Sequence, residues 1–181
     1  MTKWNEETDV IVVGSGIAGL CAAIEAAQAG AAVMVFEKMK LTGGNSRISD
    51  GGLSAPDTFL QRQYGIEDSP ELFYQDMMRA GLGLNHPPLL HVLAENGAAA
   101  IDWTRETLGI DYQDRIDRFG GHSVARTLTT RTHGGAEIIK AQVRLLKQLT
   151  VPVHTGCRLK KLLQDKSGAV QGVRIENAYR P

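Results

Sequence analysis

The glycines of "GSGIAG" stand at positions 14, 16 and 19, with Ser15 between the first two, and Glu37 closes the next apolar run. Set between a strand and a helix, residues of this type and spacing suit the binding of an adenine dinucleotide. Gly14 permits the tight turn, Gly16 lets backbone approach a pyrophosphate, and Gly19 lets helix and strand pack closely. The helix start adds free N–H groups and a partial positive charge to meet the phosphates. Glu37 is placed to accept both hydroxyls of the adenosine ribose, and its charge argues against a 2′-phosphate.

The fingerprint does not separate a nicotinamide dinucleotide from a flavin one. The stretch that follows, "KMKLTGGNSRISDGG" (38–52), bears on that choice. In a nicotinamide site the chain runs from the acidic residue straight into the next helix, whereas here a long glycine-bearing segment intervenes. Gly43-Gly44 and Gly51-Gly52 remove side chains where a ribityl chain and a tricyclic ring would lie, and Asn45 and Ser46 offer hydrogen bonds between the two pairs. A surface loop and an NAD-dependent dehydrogenase remain the alternatives on composition alone.

The elements that must position these residues are readable from pattern. "TDVIVVG" (8–14) and "AAVMVFE" (31–37) are apolar runs suited to parallel strands buried on both faces, and "IAGLCAAIEAAQAG" (17–30) is rich in helix formers with Gly30 as its stop. Together they make one βαβ unit. Residues 38–68 lack a sustained period and read as mostly loop. Helices are expected over 69–81, with Ser69 as cap and Pro70 in the first turn, over 85–109, with Asn85 as cap, and over 134–150, with Ile138, Ile139, Val143, Leu146 and Leu149 on one side. "VPVHT", "RLKKLLQD" and "AVQGVRIEN" read as strands, the last two joined by a turn at Lys166-Ser167-Gly168. The fold class is therefore α/β, a Rossmann-like parallel sheet with an added β-hairpin or meander. The end after a hairpin strand gives the chain a truncated look.

Taken together, the fingerprint, "EK", "GGNSRISDGG", "AGLGLNHPPLLHVLAENGAAAIDW" and "GGHSVARTLTTRTHGG" resemble the flavoprotein subunits of fumarate reductases and succinate dehydrogenases, above all the soluble flavocytochrome c-type branch. The likeness runs from Thr8 to Glu176. It implies a single FAD-binding portion over 1–181, with FAD held through Gly14, Gly16, Ala18, Gly19, Glu37, Lys38, Gly44, Asn45, Ser46, Asp50 and Gly51 and with the strand of Leu159 beside the adenine; Ser15, Gly43 and Gly52 join the set from the turn and the glycine pairs. Membrane-bound members attach FAD through a histidine where this sequence has Asn45, so the implied FAD is non-covalent. The resemblance implies hydride transfer at a C=C or CH–CH bond beside a carboxylate, with a small carboxylic acid as substrate and an unidentified electron-transfer partner. The proton-delivering arginine of the family maps beyond residue 181, as do the capping domain and the second FAD-contacting half. The catalytic residues are thus unknown within the chain, which is expected to be inactive alone. His122, Ser123 and Arg126 of "GGHSVAR" are the substrate-side candidates, with structural loop residues as the plainer reading. A non-catalytic FAD-holding module is the remaining alternative.

Bulk properties narrow the classes further. The 181 residues are 43% hydrophobic and 22% charged with zero formal net charge, which gives no electrostatic case for nucleic acid or an anionic membrane surface. No apolar run approaches the length that spans a bilayer, and the start lacks an apolar signal region, so a cytoplasmic location is expected. Cys21 and Cys157 read as free thiols, and without CxxCH there is no haem site in the chain. His86, His91, His133 and His154 show no metal-ligand spacing, and "DYQDRIDRF" (111–119) reads as a solvated charged face.

Overall fold

A computed structural model describes residues 4–180. Its elements, in chain order, are β1 (Val10–Val13), α1 (Ile17–Gln28), β2 (Val33–Glu37), α2 (Gly44–Ile48), β3 (Gly52–Ser54), α3 (Phe59–Gln63), α4 (Pro70–Ala80), α5 (Pro87–Glu106), β4 (Thr127–Thr129), α6 (Gly135–Gln148), β5 (Val153–Thr155), β6 (Arg158–Gln164) and β7 (Val170–Glu176). They fall into two compact units, one formed by residues up to Ile48 together with those from Ile138 onward, the other by Ser49–Glu137.

The first unit is the α/β part. β1, β2 and β5 form a parallel sheet in the order β1-β2-β5, with Val10 opposite Val33 and Val35 opposite Val153. β2 is central, and Val33 and Val35 are buried. β1 departs from expectation. It is an edge strand of this sheet, and Ile11 and Val13 are 36% and 47% exposed, so one of its faces is open rather than buried. α1 buries Leu20, Ala23 and Ile24. α6 buries Ile138, Ile139 and Leu146 as its apolar stripe requires, and with them Ala141 and the amide of Gln142. β6 and β7 pair antiparallel as the expected hairpin, with Gly168 at φ +87° in the turn.

In the second unit, residues 49–68 hold β3 and α3, and residues 44–48 of the first unit hold α2, so the 38–68 segment is mostly loop as expected but carries three short elements. Local chemistry accounts for α3: Thr58 and Gln61 form a reciprocal capping box. α4 starts as anticipated, with the Leu72 N–H donating to Ser69 Oγ at 3.1 Å and Pro70 in the first turn. α5 starts one residue later than expected, at a His86 cap, because the Asn85 side chain lies against Gly81. β4 arises inside "VARTLTTR" and pairs antiparallel with β3, Gly52 opposite Thr129. Residues 111–119 are not simply a solvated face: Tyr112 is 7% exposed with its hydroxyl 2.7 Å from Thr104 Oγ1, and the backbone of Asp117 bridges to Thr127. Among the described residues no helix is long and apolar enough to cross a membrane.

A buried ion cluster holds this unit. The Arg126 guanidinium, fully buried, donates through Nε and Nη2 to both oxygens of Asp68 at 2.8 Å and through Nη1 to Asp76 Oδ2 at 2.7 Å, and it lies 4.8 Å over the Phe73 ring. Asp76 Oδ2 also accepts the N–H and hydroxyl of Ser123 at 2.8 and 2.7 Å. Burial alone would raise the Asp76 carboxyl, but the Ser123 N–H, the Arg126 guanidinium and the Ser123 hydroxyl outweigh it and hold it down to about 2. Stability from this shift is present above the ordinary aspartate range and is lost as pH falls through that range toward about 2. Removing Arg126 strands two buried carboxylates, so Arg126→Ala is expected to lower unfolding free energy by about 3–5 kcal/mol in urea titration. Asp76→Asn should shrink the loss of stability below pH 4, read as a shallower fall of Tm with acid than in the parent protein.

Candidate dinucleotide site

The turn between β1 and α1 separates the three glycines by cause. Gly14 is at φ +101°, a conformation only glycine adopts readily. A methyl built on Gly19 would lie 2.1 Å from Gly14 O and 3.4 Å from a Val12 methyl, so helix and strand close on each other there. Gly16 is different: its φ of −64° suits any residue, and a methyl built on it meets nothing nearer than Gly43 O at 4.0 Å. Neither backbone conformation nor packing within the protein demands glycine at 16, and the space above it is open to a ligand.

Glu37 ends β2 with its side chain turned into this turn, 5% exposed. Oε2 accepts the Ser15 N–H at 2.9 Å and the Ser15 hydroxyl at 2.6 Å, and Oε1 accepts the Met39 N–H at 2.7 Å. Burial pushes the carboxyl up, but these donors and the nearby Lys38 charge more than offset it and leave the pKa below its ordinary value. A carboxylate offers about four acceptor positions, of which three are filled. One is left, on Oε1, where the sequence reading asks for two.

The segment after β2 approaches the same turn. The Gly43 N–H donates to Ser15 Oγ at 3.1 Å and the Ile17 N–H to Ser46 Oγ at 3.3 Å, so the first turn of α1 is met by a residue of α2 rather than by a local cap. Gly43 is required twice over, by φ +108° and by Ile139, whose methyl would lie 2.9 Å from an added Cβ. Gly44, at φ +50°, faces open space, and Gly44 and Asn45 are exposed along with Lys38 and Ala18. The start of β6 is tied to the end of β2, since the Cys157 N–H donates to Glu37 O at 2.8 Å and the Gly156 N–H to Met39 O at 3.0 Å; half-buried Leu159 follows on that strand.

Thus Gly14, Ser15, Gly16, Gly19, Glu37, Gly43 and Ser46 come together around one turn. The side chain of Ser15 is fully buried, so it is spent on Glu37 and Gly43. Asp50, Gly51 and Gly52 belong to the second unit. There Asp50 Oδ1 accepts the Gly52 N–H at 3.1 Å, and glycine at 51 is explained by φ +75° and by Thr130 and Gly134, which an added Cβ would strike. Of the substrate-side candidates, Arg126 is buried in its ion pairs and Ser123 serves Asp76, as structural residues. His122 stands edge-on to Phe73 at 5.7 Å with a buried, unpartnered Nδ1; burial and the Arg126 charge depress its pKa, which favours the neutral ring.

Two contributors have no motif to announce them. Ile139 packs against Gly43, and buried Gln142 donates through Nε2 to Ile17 O at 3.3 Å and Cys21 Sγ at 3.1 Å. Only the helical stripe that carries Ile139 signals either. A groove of about 760 Å³ lies elsewhere in the first unit, lined by Ile11, Phe36, His154, Leu163 and Ile175, and the fingerprint residues do not line it. Val12 points toward α1, so alternation puts Ile11 and its paired neighbours on the opposite face of the sheet.

Comparison with known proteins agrees with this geometry. Residues 9–180 match the model of the FAD binding domain family. The chain is 39% identical over 178 residues to an acrylate reductase flavoprotein subunit of Shewanella woodyi, covering 98% of this chain and 35% of that protein. It is 38% identical over 174 residues to a urocanate reductase of Eggerthella lenta, covering 94% of this chain and 28% of the relative. The structure of an open conformation of a flavocytochrome c3 fumarate reductase superposes with a TM-score of 0.91 at 35% identity, over 97% of this chain and 31% of the other. The chain therefore spans about a third of the length of these relatives. With 172 of its residues inside one family match, this protein belongs to the FAD binding domain family.

Proposed function

We propose that the protein holds FAD non-covalently across the β1–α1 turn and serves as the FAD-holding part of a flavin-dependent oxidoreductase that acts on the C=C or CH–CH bond of a small carboxylic acid. The observation that carries this reading is Gly16, which nothing inside the protein requires to be glycine and whose open space suits a pyrophosphate. The names of the relatives, acrylate, urocanate and fumarate reductases, supply the substrate class. When bound, FAD supplies the hydride chemistry, and the protein supplies binding, orientation and electrostatics.

The backbone at Gly16 and the first turn of α1 give N–H donors and the helix dipole to the phosphates. Oε1 of Glu37 takes one ribose hydroxyl, and the ionised carboxylate repels a 2′-phosphate. Gly44, Asn45 and Ser46 lie along the cofactor beyond the pyrophosphate, and Leu159 lies toward the adenine. Asn45 carries an amide of low nucleophilicity where the related membrane-bound enzymes carry the attaching histidine, which supports non-covalent binding. The electron-transfer partner is unidentified, and a cytoplasmic location goes with the same reading. Arg126, held by two carboxylates, is no mobile proton donor; residues 1–181 alone should not turn over substrate, because the resemblance maps the proton-delivering arginine outside them.

Acid precipitation of the purified protein tests the cofactor. All flavin colour should pass to the supernatant; colour retained in the pellet contradicts non-covalent binding, and a colourless protein that binds NAD contradicts FAD. Dye-coupled fumarate reduction should be undetectable with these residues alone. The glycines make a sharper pair. Gly16→Ala should hold stability within about 1 kcal/mol of the parent yet weaken FAD binding by roughly tenfold or more. Gly19→Ala should cost about 3 kcal/mol or more of stability, since the obstacle is backbone. Thermal unfolding and FAD titration of both variants measure the contrast.

A further inference from the structure

A dinucleotide turn does not require a hydroxyl at its second position, and the side chain at 15 is buried out of reach of any ligand. Its oxygen nevertheless makes two bonds at once, accepting the Gly43 N–H at 3.1 Å and donating to Glu37 Oε2 at 2.6 Å. The three groups so joined are the turn beneath the pyrophosphate, the carboxylate at the ribose and the head of the segment assigned to the flavin side. The chain of donors runs from the Gly43 N–H through the hydroxyl to an ionised acceptor, an order in which the terminal charge strengthens both bonds.

We propose that Ser15 is a positioning residue that couples the ribose carboxylate to the Gly43 loop, so that engagement at the adenosine end tightens the loop for the flavin half. The proposal rests on the FAD reading above. Alanine at 15 keeps the backbone bond from residue 15 to Glu37, because that donor is main chain, but it strands the Gly43 N–H in a buried place and takes one donor from Glu37. The adenosine end then still has its carboxylate, while the loop loses its tether to it. Ile139 continues to pack against Gly43, so the loop stays near the turn without being coupled to Glu37.

The test compares FAD with ADP, which carries the adenosine and the pyrophosphate without the riboflavin, and follows the exchange of the Gly43 amide. In the parent protein ADP should slow that exchange by on the order of tenfold, through the bond it stabilises. In Ser15→Ala the slowing should vanish and FAD binding should weaken on the order of tenfold, while ADP binding weakens by less than about threefold. Ser15→Cys, close in size with a weaker donor, should fall between the two. A Ser15→Ala protein of lower Tm whose FAD affinity is unchanged, or one that loses FAD and ADP binding equally while ADP still slows Gly43, overturns the proposal and leaves Ser15 a purely local stabiliser. Where Ser15→Ala does not fold, the parent and Ser15→Cys decide: no effect of ADP on Gly43 exchange in the parent, or full coupling in Ser15→Cys, overturns it. A parent protein that binds neither FAD nor ADP removes the FAD reading and this proposal with it.

Discussion

Glu37 ends the central strand of a parallel sheet with its carboxylate almost out of water, and an ionised group is tolerable there only when protein donors replace the lost hydration. Those donors are the N–H and hydroxyl of Ser15 and the N–H of Met39. Because they come from the turn before α1 and from the chain just past β2, holding the charge fixes both pieces of backbone together. The Ser15 hydroxyl carries the constraint on to Gly43, and the main chain of Glu37 carries it to the start of β6 through the Cys157 N–H. The site is built around an ion that ties three stretches of backbone together.

The same turn shows one residue type used for separate physical reasons. Gly14 answers a backbone angle, Gly19 the close approach of helix to strand, and Gly16 neither. A residue that the protein itself does not need to be glycine points outward, to what must come close. α6 supports the arrangement from far along the sequence. Ile139 closes against Gly43, and Gln142 reaches the first carbonyl of α1, so both sides of the turn rest on a helix outside the fingerprint.

How much of this is legible in the sequence depends on how local each signal is. β1, α1, β2 and Glu37 lie within one short crossover, and their apolar runs, helix formers and glycines point to the same answer; α4, with Ser69 and Pro70, is equally local. β3 and β4 are three residues each and pair across the whole of α3, α4 and α5, so neither carries a pattern of its own. Arg126 invites reading as a substrate ligand because the ion pair that uses it joins Asp68 and Asp76 from separate segments. Gln142 looks like a surface amide on an apolar stripe until its partners on α1 are seen. The openness of β1 was hidden because its valines look the same whether one face or two are covered.

The central claim is that an adenine dinucleotide lies over the β1–α1 turn and past the end of β2. Amide chemical-shift mapping of the protein on addition of FAD addresses it most directly. The account predicts the largest changes at Gly14, Gly16, Ile17, Lys38 and Gly44. Changes confined to the opposite sheet face, at Ile11, Phe36 and His154, would contradict it.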